Sequence, residues 1–174
     1  MNQLDLETPR LILFPLSLEQ AQSLMTETNQ YPKWLNVPFD SLWPHDGLKA
    51  LLPIYAENIE TDDSHYGFGP WVAVDKHKEV VVGDVQFKGK PIHGEVEIGY
   101  FVSNIHRNQG YAKEAVEAII QWAFQHESIH HVRAVCDANN VPSCRVLEAC
   151  GFKRLGEDNG IIHFKTTKQR NHAI

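Results

Sequence analysis

The stretch from Glu95 to Phe152 decides the fold of this chain. It opens with the strand-like sequence EVEIGYFV at 95–102 and continues through the glycine turn RNQGYA at 107–112 into a long amphipathic helix. The sequence HVRAVC at 131–136 predicts a second strand, and a short capped helix follows it. Because a helical crossover joins the two strands, we expect them to pair in parallel.

The glycine turn at 107–112 predicts an anion-binding site. A turn that leads into a helix presents free backbone N–H groups and a partial positive charge to a ligand. Its pattern, R-x-x-G-x-A, differs from the G-x-G-x-x-G of dinucleotide-binding folds, and no G-K-[ST] follows it. By itself the turn indicates only that a phosphate-bearing ligand docks at the start of the helix.

Composition narrows the class of protein. The chain has 174 residues, of which 43% are hydrophobic and 22% charged, and this balance predicts one globular domain over 1–174. The net charge of −6 argues against a nucleic-acid partner. The sequence has no apolar run long enough for a membrane span and no secretory signal. Three cysteines without disulfide-framework spacing favour reduced thiols and a cytoplasmic location.

The rest of the chain predicts further helices and strands around this unit. Ser17 and Gln20 have capping-box spacing, which predicts a helix over 17–29, and apolar periodicity predicts another over 46–59. Aromatic residues in the proline-rich segment Tyr31–Pro44 either line a pocket or pack as a loop. Strands are expected at 10–14, 71–74, 80–87, 152–155 and 161–165.

Two motifs in this order resemble the GNAT superfamily of acyl-CoA-dependent N-acetyltransferases. The family's [QR]-x-x-G-x-[GA] motif matches 107–112, and its N-x-x-[SA]…G-F motif matches 140–143 and 151–152. The opening LETPRLIL at 6–13 is similar to the branch that contains ribosomal-protein N-terminal acetyltransferases. The resemblance implies a single α/β (α+β) domain, with a mixed, mostly antiparallel sheet flanked by helices and one parallel strand pair splayed at the cofactor site.

The resemblance also implies where acetyl-CoA binds. Its pyrophosphate would lie on the backbone N–H groups of the turn, and Arg107 or Lys113 would add charge-assisted contacts. Its pantetheine arm would pair with the backbone at the end of the preceding strand, and Asn140 would bind the arm where the strands splay, unless it serves only as a helix N-cap. The cofactor residues implied are Phe101, Val102, Ser103, Arg107, Asn108, Gln109, Gly110, Tyr111, Ala112, Lys113, Asn140 and Ser143.

Acetyl transfer to an amine needs a base for the ammonium and a proton donor for the leaving thiolate. Glu97, on the strand before the turn, is the candidate base, and its alternative role is a surface carboxylate. Many relatives have a tyrosine as the acid where this chain has Leu147, which cannot donate a proton. By resemblance to the ribosomal-protein branch, the Ser143 hydroxyl takes that role, with Tyr100 and Tyr111 as alternatives.

The expected function is therefore acetyl transfer from acetyl-CoA to a primary amine by direct attack in a ternary complex. The acceptor amine is a protein N-terminus or a small molecule, a homodimer is possible, and no metal or membrane partner is expected. A non-catalytic acyl-CoA-binding module is the alternative from another class. A zinc metallohydrolase is a remote third, because His126 and His130 frame a literal H-E-x-x-H, although the helical pattern ends before His130.

Overall fold

The computed structural model describes residues 4–26, 32 and 34–169. The strands are β1 (Leu6–Glu7), β2 (Leu11–Pro15), β3 (Pro70–Asp75), β4 (Val80–Phe87), β5 (Glu95–Val102), β6 (His131–Asp137), β7 (Lys153–Asp158) and β8 (Ile161–Thr167). The α-helices are α1 (Leu18–Thr26), α2 (Asp46–Thr61), α3 (Tyr111–Gln125) and α4 (Val141–Ala149). Short 3-10 turns lie at Asp63–His65 and Asn104–His106.

The strands form a single sheet with the order β1-β2-β3-β4-β5-β6-β8-β7. β5 and β6 run parallel, as the crossover through α3 predicts, whereas the other neighbouring strands are antiparallel. The parallel pairing ends at Ile98 and Ala134, although β5 continues to Val102 and β6 to Asp137. The two strands therefore splay at their carboxyl ends, and the predicted mixed sheet with one splayed parallel pair is confirmed.

Each face of the sheet packs against helices. One apolar cluster joins α3 and Leu147 of α4 to side chains of β2 to β6 and β8, such as Ile98 and Val132. A second cluster joins α1, α2 and the segment before α2 to β3 and β4 on the other side of the sheet, with Leu52, Val72 and Val81 among its members. Burial of these two apolar surfaces holds the layers together.

Local sequence signals explain the starts of the helices. Ser17 and Gln20 form the predicted capping box: the backbone N–H of each donates to the side chain of the other, at 2.9 and 3.2 Å. The predicted end of this helix, 27–29, lies outside the described residues. α2 begins at Asp46 as predicted and continues through Pro53 to Thr61.

The aromatic segment before α2 packs as a loop. Trp43 is buried, and the Trp34 indole N–H donates to Ser23 of α1 at 3.1 Å. Of the two interpretations that its composition left open, packing therefore holds for these residues, and Tyr31 lies outside the described part. None of the described helices is long and apolar enough to cross a membrane.

Candidate active site

The glycine turn between β5 and α3 leaves a row of backbone donors free. Gly110 precedes α3 with φ +81°, and Asn108 is also left-handed with φ +58°. Within the described residues, the backbone N–H groups of 108–113 donate no hydrogen bond, and the first one used is that of Glu114, to the Gly110 carbonyl. Free donors that converge at the start of a 15-residue helix can bind an anion, and acetyl-CoA binding at this turn stays a prediction.

A clamp from the first strands fixes this turn from behind. The Arg10 guanidinium donates to the Gln109 carbonyl and to the Glu114 carboxylate, each at 2.7 Å. The Thr8 hydroxyl and the Arg10 backbone N–H donate to the same carboxylate at 2.6 and 2.9 Å. Sequence reasoning missed this clamp, since its members are about a hundred positions apart and match no local spacing.

The two basic residues of the turn have intramolecular partners. Arg107 Nε donates to the Val102 carbonyl at 3.1 Å, so its guanidinium lies over the end of β5. Lys113 forms an ion pair with Glu117 one helical turn later, at 2.8 Å. A phosphate contact by either side chain therefore competes with these existing bonds, whereas the backbone donors are free.

The end of β5 is closely apposed to β4. A Cβ at Gly83 would overlap the Phe101 carbonyl oxygen, so only glycine fits there. The Ser103 N–H donates to the Val82 carbonyl at 2.9 Å and is therefore already used. Among Phe101, Val102 and Ser103, the alternation of an antiparallel pair directs the backbone of Val102 away from β4, toward the splay.

The start of α4 faces the same splay from the end of β6. Asn140 is the N-cap of α4 and its side chain accepts from the Ser143 N–H at 3.3 Å, as the N-cap alternative predicts. The Ser143 hydroxyl lies 2.7 Å from the Tyr100 hydroxyl, which also donates to the Ser143 carbonyl at 2.8 Å. Ser143 and Tyr100 thus belong to one hydrogen-bonded unit.

Tyr111 lies in a different environment. Its hydroxyl donates to Asp75 at 2.5 Å and accepts from Lys78 at 2.9 Å. Burial raises the pKa of Asp75, but hydrogen bonds from Tyr111 and from the backbone of 77 and 78 outweigh it and leave the pKa lowered. This buried bond fixes α3 to the β3–β4 hairpin and gives Tyr111 a structural role.

Glu97 lies on the sheet face opposite to Tyr100, beside a cavity of about 460 Å³. The cavity is bordered by the β4–β5 connection, by β5 and by Arg133 of β6. Glu95 is neutralised there by Arg133 and Lys165, at 3.2 and 2.7 Å. Glu97 is half-buried and has no side-chain ion pair or hydrogen bond among the described residues, so its carboxylate is available to a ligand.

The H-E-x-x-H match does not form a zinc-binding helix. α3 ends at Gln125, His126 packs against Trp122 and Phe68, and the His130 N–H joins the Gly94 carbonyl at 2.8 Å. The two histidines therefore do not share a helix face, which that motif requires. No group of three or more His, Cys, Asp or Glu side chains able to hold a metal occurs in the described part of the chain.

Fold and site together define an acetyltransferase of the GNAT type. The model of the acetyltransferase (GNAT) domain matches residues 10–153. The chain is 30% identical to the uncharacterized N-acetyltransferase YjdG of Bacillus subtilis (strain 168) over 148 residues, 84% of this chain and 88% of that protein. The chain belongs to the GNAT acetyltransferase family, and its reaction class is acetyl-CoA-dependent N-acetyl transfer.

Solved structures share the fold at low sequence identity. Ribosomal-protein-S5-alanine acetyltransferase from Vibrio fischeri superposes with a TM-score of 0.67 and 20% identity, covering 97% of this chain and 98% of that one. Spermidine N-acetyltransferase from Vibrio cholerae, in complex with CoA and spermine, gives a TM-score of 0.62 and 17% identity over 92% and 96% of the two chains.

Proposed function

We propose that the chain transfers the acetyl group of acetyl-CoA directly to a primary amine while both substrates are bound. The observation that carries this proposal is the Tyr100–Ser143 hydroxyl pair at the splay. A thiolate that leaves there needs a hydrogen-bond donor, and the Ser143 hydroxyl would supply it with Tyr100 behind it. Asn140 would bind the pantetheine arm through its amide N–H groups.

Tyr100 is suited to support this step as a donor. Burial raises the pKa of Tyr100 well above its usual value, although the hydrogen bond from Ser143 opposes the effect. The phenol therefore stays protonated at neutral pH and above. Its single proton can go to the Ser143 carbonyl, at 2.8 Å, or to the Ser143 hydroxyl, at 2.7 Å. Donation to the hydroxyl would leave the serine proton free to point toward the sulfur.

Direct attack is favoured over an acetylated cysteine. Cys136 and Cys144 lie near Ser143, with sulfurs 2.9 Å apart. Burial, together with the hydrogen bond to Cys144, raises the pKa of Cys136 to about 11, so the group is a thiol rather than a thiolate near neutral pH. A buried thiol is a poor nucleophile toward a thioester.

On the acceptor side, Glu97 would accept a proton from the incoming ammonium. Its carboxylate has no ion pair or side-chain hydrogen bond with the described residues, and it lies beside the cavity on the face opposite to Tyr100. The acceptor itself is proposed as a class, a primary amine of a protein N-terminus or of a small molecule. Both kinds occur among proteins of this fold, including the ribosomal-protein and spermidine acetyltransferases.

The test is CoA release from acetyl-CoA with a panel of amines, namely spermidine, glycinamide, free amino acids and peptides with free N-termini. We expect turnover with at least one, and a loss in kcat of roughly 10²-fold in Glu97→Gln and in Ser143→Ala. Glu127→Gln and Ser128→Ala, at exposed positions of the α3–β6 turn, are the matched controls and should keep wild-type rates. Tight acetyl-CoA binding without turnover of any amine would instead establish a non-catalytic binding module.

A further inference from the structure

A buried carboxylate lies on the same side of the sheet as Glu97. Asp84 of β4 is 2% exposed and stands opposite Phe101 of β5. Its Oδ2 accepts the Trp43 indole N–H at 2.9 Å, and its Oδ1 accepts from the Gln86 amide. Neither donor neutralises the charge, and a buried carboxylate without a cationic partner is strongly unfavourable.

The one ionisable side chain that touches Asp84 among the described residues is His45, immediately before α2. His45 Nε2 lies 3.3 Å from Asp84 Oδ1 and 3.0 Å from the Gln86 amide nitrogen. A proton taken up by this imidazole therefore creates the counter-charge that Asp84 lacks. The arrangement is that of an imidazole oriented by a carboxylate, which general-base sites use.

The imidazole lies next to the end of β5, along which the pantetheine arm is expected to pair. Its ring stacks on the Phe101 ring with centroids 4.3 Å apart and planes at 21°. Phe101 and Glu97 share a face of β5, because they are four positions apart in a strand. The two positions are roughly 13 Å apart along the strand, so His45 and Glu97 lie at opposite ends of one strand segment on this face of the sheet.

The other edge of the imidazole is open to a ligand. His45 is 19% exposed, and Nδ1 borders Gly47, which has no side chain to cover it. A Cβ at Gly47 would stand 3.1 Å from Nδ1 and 3.0 Å from Cε1. Asp84 and the Gln86 amide compete for Nε2, at 3.3 and 3.0 Å. In the tautomer whose Nε2–H donates to Asp84, Nδ1 is the nitrogen that can receive a proton.

We propose that His45 is a second proton acceptor for the acceptor amine, oriented by the positioning residue Asp84. The inference rests on the proposed direct attack.

An alkylammonium loses two protons from nitrogen when it becomes an amide: the first frees the lone pair, and the second leaves the nitrogen once the N–C bond has formed. The C–S bond breaks and the thiolate gains one proton from Ser143, which regains a proton from water, so the net release is one proton. Glu97 and His45, at the two ends of this strand segment, would each receive one of the protons from nitrogen.

The experiment compares His45→Gln and Asp84→Asn with wild type, using the panel amine that wild type turns over fastest. We expect kcat to fall roughly 10²-fold in His45→Gln and roughly 10-fold in Asp84→Asn, with KM for acetyl-CoA within about twofold. His130→Gln, at an exposed position in the α3–β6 connection, is the matched control and should keep the wild-type rate. Added imidazole should restore part of the rate in His45→Ala, which loss of a packing contact alone would not allow.

Gly47→Ala keeps the test decisive if the His45 variants do not fold. The variant keeps both His45 and Asp84, but the added methyl group would stand 3.0–3.1 Å from the imidazole, so it covers Nδ1 and displaces the ring slightly, and kcat should again fall. Wild-type kcat in folded His45→Gln, or a change confined to KM, overturns the role of His45. Absence of turnover in wild type with every amine is a different failure, because it removes the proposed function itself.

Discussion

The Tyr100 hydroxyl lies 2.7 Å from the Ser143 hydroxyl and so joins β5 to the first turn of α4 across the splay of the parallel strands. Tyr100 also donates to the Ser143 carbonyl at 2.8 Å. One phenol thus fixes both the backbone and the side chain of Ser143. The proposed proton donor is accordingly a pair of residues rather than a single side chain.

A double-mutant cycle tests this coupling. Ser143→Ala and Tyr100→Phe should each lower kcat by at least about tenfold, and the double variant should be little worse than Ser143→Ala alone, because both act through one hydrogen bond. The measurement is kcat with saturating acetyl-CoA in the four proteins. Fully additive losses would show that the two hydroxyls act separately.

Gly110→Ala should weaken acetyl-CoA binding. The residue has φ +81°, which costs about 1 kcal/mol or more for alanine. The new Cβ would also stand 3.2 Å from Arg10 Nη2, so the clamp would have to shift. We expect Kd for acetyl-CoA to rise about fivefold or more by calorimetry.

Gly156→Ala is the control for this change. Gly156 does not have a positive φ, and a Cβ there meets nothing within 4 Å. Equal Kd values for Gly110→Ala and Gly156→Ala would contradict the role of the turn.

The sequence predicts structural features that depend on neighbouring residues better than features that depend on residues far apart in the chain. The Ser17–Gln20 box, the Gly110 turn and the Asn140 cap are local patterns, and the structure forms all three as helix starts. The strands expected at 152–155 and 161–165 form as β7 and β8, but the second of them, and not the first, pairs with β6. Strand order depends on which faces bury apolar area, and local spacing does not encode it.

The contact between His45 and Asp84 could not be predicted from the sequence either, because it also depends on residues that are far apart in the chain. His45 and Asp84 meet only because α2 packs on the sheet, and the intervening chain has no spacing rule. One signal was available: Asp84 and Gln86 interrupt the apolar run VVVGDVQF of a strand that is buried from Val81 to Phe87. Buried polar side chains within such a run require partners and so indicate a built site.

Glu114→Gln should lower stability and flatten its dependence on acidic pH. Burial raises the pKa of Glu114, but hydrogen bonds from Thr8 and Arg10 outweigh it, and the net pKa is lowered. A carboxyl group whose pKa is lower in the folded state stabilises the protein fully when the pH is above its unfolded-state pKa, about 4.3. This stabilisation is lost as the pH falls through the folded-state pKa. The clamp is partly exposed, with Arg10 39% accessible, so we expect a loss of about 1 kcal/mol at pH 7.

Urea unfolding between about pH 5 and pH 3 measures this effect. Wild type should lose stability more steeply than Glu114→Gln across that interval. Glu148→Gln is the matched control, since Glu148 is exposed on α4 and should leave the slope unchanged. A wild-type slope in Glu114→Gln would mean that the clamp carries no net interaction energy.

His126→Gln should flatten the dependence of stability on mildly acidic pH. Burial against Phe68 and Trp122, with a smaller contribution from Lys168, lowers the pKa of His126. The unfolded chain therefore binds more protons than the folded one as the pH falls below the ordinary value, about 6.5, so wild type loses stability there. Replacing His126 removes its contribution to this loss of stability. His106 still contributes to the loss, because burial lowers its pKa as well. The midpoints of urea unfolding at about pH 7.5 and pH 5.5 should therefore differ less in His126→Gln than in wild type. An unchanged difference would show that the pKa of His126 is the same in the folded and unfolded states.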